Sequence, residues 1–211
     1  MTNQNLKNLK PDVRYLNEMK DVLYNKKWAK KAPNLELYYM YRGLKEKNGL
    51  RYDITIIPSR MLGKEFVKTK GHEHVGKYGE LYIVLEGQAI YLMQKREKDI
   101  IKDVYAVKAK KNDIVVILPD YGHITINPSK KDLKMANWMA KEVKNDYKPI
   151  QRMQGACYFY ILRPGSGQAG WIKNKNYKKV PKLRFEKPRK TMPKNLDFLK
   201  GQAGMAEQKT H

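Results

Sequence analysis

Four histidines occur among the 211 residues, and three of them fall inside two short, glycine-bounded blocks. The first block reads Gly71-His72-Glu73-His74 and resumes after a loop as Gly79-Glu80-Leu81-Tyr82-Ile83-Val84-Leu85-Glu86-Gly87. In an extended chain the side-chain period is two, so His72 and His74 share one face while Glu73 takes the other. Glu80 opens the next apolar run, and a hairpin returns its carboxylate to the pair. The second block follows the run Ile114–Leu118 and reads Pro119-Asp120-Tyr121-Gly122-His123. A strand that ends in this turn brings back a third imidazole. Three neutral nitrogens and one carboxylate suit a first-row divalent metal, and an octahedral ion would keep two positions open for water or substrate. A lone strand histidine is more often a hydrogen-bonded structural residue. The pair, the carboxylate and the later strand-turn histidine together favour a metal at His72, His74, Glu80 and His123. His211, the terminal residue, is left out of the set.

Short β-branched runs must position these groups. From about Arg51 they recur roughly every ten residues: Tyr52–Ile57, Glu65–Thr69, Leu81–Leu85, Ala89–Gln94, Val104–Val107, Ile114–Leu118, Ile124–Ile126, Met135–Met139 and Ala156–Leu162. Even spacing with polar breaks and no helical pattern between them predicts an all-β antiparallel sandwich or barrel. Ahead of it, Val13, Leu16, Met19, Val22 and Leu23 are spaced for a short helix over Val13–Tyr24, and Leu35–Arg42 alternates as a strand. The expected division is an N-terminal extension over 1–49, the barrel over 50–162, and a basic tail over 163–211. In that tail Trp171, Tyr177, Leu183 and Phe185 are candidates to drape over the barrel, and the last fifteen residues are expected to be loose.

Lys and Arg outnumber Asp and Glu by 44 to 21, a net charge of +23. Such an excess draws anions of many kinds. The lysines are spread along the chain without a nucleic-acid motif, so solvated lysine faces are preferred to a specific nucleic-acid partner. Cys157 is the one cysteine, which excludes an intrachain disulfide and fits a reducing cytoplasm. No run of eighteen apolar residues is present, and Met1–Lys10 lacks a signal-peptide core; no membrane partner is expected.

Both histidine blocks resemble the two cupin signatures: His-x-His, then Glu followed by six residues and Gly, and later Pro, His and, after three residues, Asn127. Five residues separate His74 from Glu80, more than usual, and the Pro119–His123 turn is one residue short. The stretch Gly63-Lys64-Glu65-Phe66, running on through Thr69-Lys70-Gly71-His72-Glu73-His74, is similar to the cupin-type glucose-6-phosphate isomerases. The similarity runs from about Tyr38 to Tyr147.

This resemblance implies a single cupin (double-stranded β-helix, or jelly-roll) barrel with an N-terminal helix/strand extension and an irregular C-terminal tail. It implies an enzyme that interconverts glucose 6-phosphate and fructose 6-phosphate through an enediol(ate) or a hydride shift. Glu80, Tyr82 and His123 would be catalytic, and Tyr38, Thr55, Thr69, Gly71, Tyr121 and Tyr147 would bind substrate. One divalent ion per chain is implied, iron first, with manganese, nickel, cobalt and zinc as alternatives. The resemblance further implies a homodimer, with Leu35–Arg42 completing a shared sheet. Asn145 departs from the family, which often has histidine there. Another cupin sugar-phosphate isomerase or epimerase, and a metal-dependent ligand-binding cupin without turnover, remain as alternatives. Tyr91, Tyr105 and Tyr158 are assigned to ordinary packing.

Overall fold

The computed structural model describes residues 6–163 and 165–201. Its N-terminal segment forms strand β1 (Asp12–Tyr15), two 3-10 turns (Leu16–Glu18 and Lys20–Val22) and helix α1 (Lys26–Lys31). No α-helix spans Val13–Tyr24 as the spacing suggests. Leu16, Met19 and Val22 are three apart, which matches the three-residue period of a 3-10 turn, and all three are fully buried. The Glu18 carboxylate caps the first turn by accepting from the Tyr15 amide at 2.9 Å. Asn25 does the same for α1, its side chain accepting from the Trp28 amide at 3.0 Å.

The remaining strands follow in chain order. They are β2 (Glu36–Lys47), β3 (Leu50–Ile57), β4 (Met61–Leu62), β5 (Glu65–Phe66), β6 (Glu73–His74), β7 (Glu80–Glu86), β8 (Gln88–Glu97) and β9 (Ile100–Lys110). Then come β10 (Ile114–Ile117), β11 (Gly122–Ile126), β12 (Leu133–Ala140), β13 (Asn145–Asp146), helix α2 (Lys148–Arg152), β14 (Tyr158–Leu162), β15 (Ala169–Lys173) and β16 (Arg184–Glu186). One sheet has the order β1-β2-β3-β12-β7-β10 and the facing sheet β11-β8-β9-β16, with smaller sheets β13-β6 and β15-β14-β5-β4 at their margins. Asn48 and Gly49, with φ of 52° and 76°, turn β2 into β3, the double positive φ that a two-residue hairpin needs.

Between the two large sheets lies the inner core, to which β7 contributes Tyr82 and Val84, β8 Tyr91 and Met93, β9 Tyr105 and Val107, and β12 Met135. Alternate residues Leu81 and Ile83 face outward but are covered by Met139, Val143 and Leu199, which is why β7 reads as a continuous apolar run. The outer face of the second sheet is covered by Cys157, Tyr158, Tyr177 and Leu183. The fold is an all-β cupin barrel.

Three expectations change. The strand over Leu35–Arg42 is not an edge: β1 pairs along it from Asp12↔Met40 to Tyr15↔Glu36, so the chain itself occupies the edge assigned to a partner. Phe185 is 58% exposed and does not pack, because β16 pairs through its backbone, parallel to β9. Residues 197–201 are not loose: Asp197–Leu199 is a 3-10 turn with Leu199 fully buried. The rest of the final fifteen, and His211, lie outside the described residues. Among the described residues no helix is long and apolar enough to cross a membrane.

Candidate metal centre and cleft

Three imidazoles and one carboxylate meet at one end of the barrel: a ligand atom each from His72, His74, Glu80 and His123 lies within 4.8 Å of the others. Backbone pairing brings the two sequence blocks together. The His72 amide donates to the His123 carbonyl at 3.3 Å and the His123 amide to the His72 carbonyl at 3.0 Å. β11 then runs beside β8, with His123 opposite Met93. On the other side β7 lies between β12 and β10, so Glu80 enters from the facing sheet. Glu73 points away and forms a two-pronged pair with Arg96, at 2.6 and 3.0 Å.

Gly71 makes the approach of His72 to β11 feasible. Its φ is +82°, and a Cβ there would press into Ile124 Cγ2 and lie 3.0 Å from Ile150 Cδ1. The loop before Glu80 is fixed from outside. The Tyr78 carbonyl meets His74 Nδ1 at 3.0 Å, and the Gly79 amide donates to the Phe198 carbonyl at 2.6 Å. A carbonyl only accepts, so His74 Nδ1 carries the proton and Nε2 turns its lone pair inward.

His72 Nε2 is 3.3 Å from His74 Nε2. The Nε2 atoms of His74 and His123 stand 3.4 and 3.2 Å from Glu80 Oε2. The two contacts to the carboxylate lack hydrogen-bond alignment, and Glu80 Oε2 is a buried acceptor without a donor. Burial of unpaired acceptors facing one another is costly. The donor set fits a divalent cation, which would satisfy all four lone pairs together.

The electrostatics agree. Burial, with His123 and His74 adjoining, pushes His72 well below the usual imidazole range and keeps it neutral. Burial acts likewise on His74, but the Glu80 carboxylate outweighs it and raises that group. Glu80 is buried too, which would raise it, yet His123 and His74 hold it well below the carboxylate range. Burial and the Glu80 charge push the Tyr82 phenol well above its ordinary value, so its O–H, 3.3 Å from His123 Nε2, stays protonated.

A cleft opens from this cluster. Tyr38, Thr55, Thr69, Gly71, Tyr82 and Tyr147 all line it beside His72 and Glu80. The Tyr147 ring stands 5.6 Å from that of His72. Tyr121 does not belong to it. Its hydroxyl donates to Asp103 at 2.6 Å and its ring packs on Tyr105. It sits in the turn after Asp120, whose φ is 68°, so the alternation that begins with β11 at Gly122 does not reach it. The cleft also holds Asn145, and Asp53 and Asn137, which sequence reasoning passes over. Asp53 accepts from the Gly43 amide at 2.7 Å and pairs with Arg51 at 3.1 Å. Its signal was available, since Asp53 shares the face of Thr55 and Asn137 that of Met135 under a period of two.

A β-barrel that closes on three imidazoles and one carboxylate defines a cupin with a donor set for a divalent ion. The chain belongs to the glucose-6-phosphate isomerase (GPI) family, which it matches over residues 24–182, and it is an enzyme of that family. It is 28% identical over 151 residues to a glucose-6-phosphate isomerase of Thermococcus litoralis, covering 69% of this chain and 77% of that protein. It is 29% identical over 121 residues to one of Pyrococcus abyssi, covering 54% of this chain and 62% of the relative. Among solved structures it resembles an oxalate decarboxylase of Lactobacillus farciminis, with 16% identity and a TM-score of 0.43, over 55% of this chain and 32% of that one.

Proposed function

We propose that the protein interconverts glucose 6-phosphate and fructose 6-phosphate with one divalent ion at His72, His74, Glu80 and His123, in a reducing cytoplasm. The observation that carries the reading is the donor-free Glu80 oxygen, set among three imidazoles at the end of a cleft rimmed by hydroxyl groups. When bound, the ion supplies a Lewis acid that polarises the sugar carbonyl. Iron is the first candidate, with manganese, nickel, cobalt and zinc suited to the same donors. The chain's own groups account for the rest. Glu80, held ionised, is the carboxylate able to take a proton during transfer between C1 and C2, by an enediol(ate) route. A hydride shift would leave it as a ligand alone. Tyr82, held protonated beside His123, donates to a sugar oxygen. Thr69 Oγ1 already accepts from the Thr125 amide at 2.9 Å, so its own O–H is free to serve the phosphate, with Thr55 and the Gly71 amide. Tyr38 and Tyr147 wall the sugar and exclude water. The homodimer is carried over from the resemblance, and sedimentation showing only monomer at micromolar concentration would remove it.

The test is isomerisation of fructose 6-phosphate by protein as purified, after chelation, and after return of iron(II), manganese(II), nickel(II), cobalt(II) or zinc(II). Activity lost on chelation and restored by a metal supports the reading. A folded protein that binds a metal yet isomerises nothing under any of them overturns it.

A further inference from the structure

Asn137 is only 4% exposed and lines the cleft, and its side chain makes no hydrogen bond among the described residues. A side-chain amide left unpaired at that depth is costly, so the group is matched to a polar partner from outside the chain. Its neighbours across the sheet are Asp53 on β3 and Tyr82 on β7. A carboxylate, an amide and a phenol therefore stand side by side, with facing Cβ atoms about 5 Å apart. Both β3 and β7 run antiparallel to β12, and Met135, two residues before Asn137, stands opposite Thr55 and Val84. Glu80 lies two residues along β7 in the other direction. The row Tyr82, Asn137, Asp53 is thus set between Glu80 and Thr55, one step of about 7 Å from each. Asp53 has one donor on each oxygen, the Gly43 amide and Arg51 Nε, and a carboxylate oxygen accepts two. An amide beside such a carboxylate holds a hydroxyl from both ends: the hydroxyl oxygen accepts from Asn137, and its proton goes to Asp53.

We propose that Asn137 and Asp53 bind the hydroxyls at C3 and C4 of the sugar chain, and that Asn137 makes the enzyme discriminate against hexoses inverted at those carbons. The assignment rests on the isomerase reading, which puts the carbonyl end at Glu80 and the phosphate at Thr55, Thr69 and Gly71. The middle of a six-carbon chain then crosses the row between them. The groups at C1 and C2 are the same in all these ketoses, so the metal cluster does not read configuration further along. Inversion at C3 or C4 swings a hydroxyl away and leaves both the amide and the carboxylate short of a partner inside the barrel.

The experiment compares metal-loaded wild type, Asn137→Leu and Asn137→Ser on fructose 6-phosphate, its C4 epimer tagatose 6-phosphate and its C3 epimer psicose 6-phosphate. By kcat/KM, wild type should prefer fructose 6-phosphate about 100-fold or more over each epimer. In Asn137→Leu, kcat/KM for fructose 6-phosphate should fall about 10- to 100-fold and the preference should shrink about 10-fold. A role confined to packing would lower all three rates alike. An unchanged preference in a folded, metal-loaded Asn137→Leu overturns the proposal, as does a wild type indifferent to both epimers. Calorimetric binding of glucitol, galactitol and allitol 6-phosphates, which have no carbonyl to react, separates the subsite from the reaction. A wild type that isomerises none of the sugars, yet binds the glucitol compound most tightly and only with Asn137 in place, keeps the subsite and removes the isomerase reading. Equal binding of all three by such a protein overturns both. Should Asn137→Leu lose its cooperative melt, Asn137→Ser carries the same comparison.

Discussion

Replacing Gly71 by alanine adds one methyl group beside His72, and two separable costs follow. The residue sits at φ +82°, and the left-handed conformation costs an L-residue about 1–2 kcal/mol. The new Cβ would also collide with Ile124 Cγ2 and lie 3.0 Å from Ile150 Cδ1, overpacking of a kind that costs about 1–3 kcal/mol. The sum is about 2–5 kcal/mol, which for a chain of this size lowers Tm by about 4–20 °C. Relief of the collision moves the backbone between His72 and β11, so kcat/KM should fall with stability. The assay is a thermal melt of metal-stripped protein together with isomerase kinetics on metal-loaded protein. Adding Ile124→Ala separates the two costs. The double variant should be more stable than the sum of the single effects by about 1 kcal/mol, because the collision goes while the φ strain stays. A Gly71→Ala protein with the parent's Tm and kcat/KM would refute the reasoning.

Other perturbations test other parts. Lys68 is buried against Glu65, with its ammonium donating to the Val22 carbonyl at 2.9 Å. Lys68→Met strands the Glu65 carboxylate and should cost about 3–5 kcal/mol by chemical denaturation, largely recovered by adding Glu65→Gln; an unchanged midpoint would count against a buried pair. Tyr82→Phe deletes the protonated O–H facing His123 and should lower kcat about 10- to 100-fold with little change in Tm, whereas unaltered kcat would remove Tyr82 from the chemistry. In metal-stripped protein, His72 and His74 should make stability depend on pH in opposite senses. The depressed folded pKa of His72 gives stability that is present above about pH 6.5 and lost as pH falls, because the unfolded chain takes up the proton first. His74, raised by Glu80, acts in the opposite sense, giving stability present below about pH 6.5 and lost on raising the pH. Comparison with His72→Gln isolates the first effect: the variant should lose less Tm than the wild type between about pH 7.5 and 5.5. The same pH dependence of Tm in both proteins would contradict the assignment.

The metal cluster was legible because its spacing is itself geometric. A period of two places His72 and His74 together, and an apolar strand on either side leaves Glu80 and His123 no other end of the barrel to occupy. Thr55, Thr69, Tyr38 and Tyr147 came from resemblance, since a threonine or tyrosine on a strand looks the same whether it packs or binds. Tyr121 failed for a local reason, because parity does not survive the positive φ of Asp120. The helix expected over Val13–Tyr24 shows a related limit: its apolar spacing reported burial correctly while leaving the helix type open.

The hydrogen bond from the Gly79 amide to the Phe198 carbonyl ties the last described turn to the residue preceding Glu80. Leu199 and Phe198 seat that turn on the outer face of β7, while Glu80 looks inward from the same strand. Occupancy of the cluster and docking of residues 196–199 therefore share one free energy. An ion that fixes Glu80 makes the turn harder to lift, and a turn that lifts loosens the ion by the same factor. Protease sensitivity near Leu196 thus becomes a readout of metal loading inside the barrel, available without any substrate.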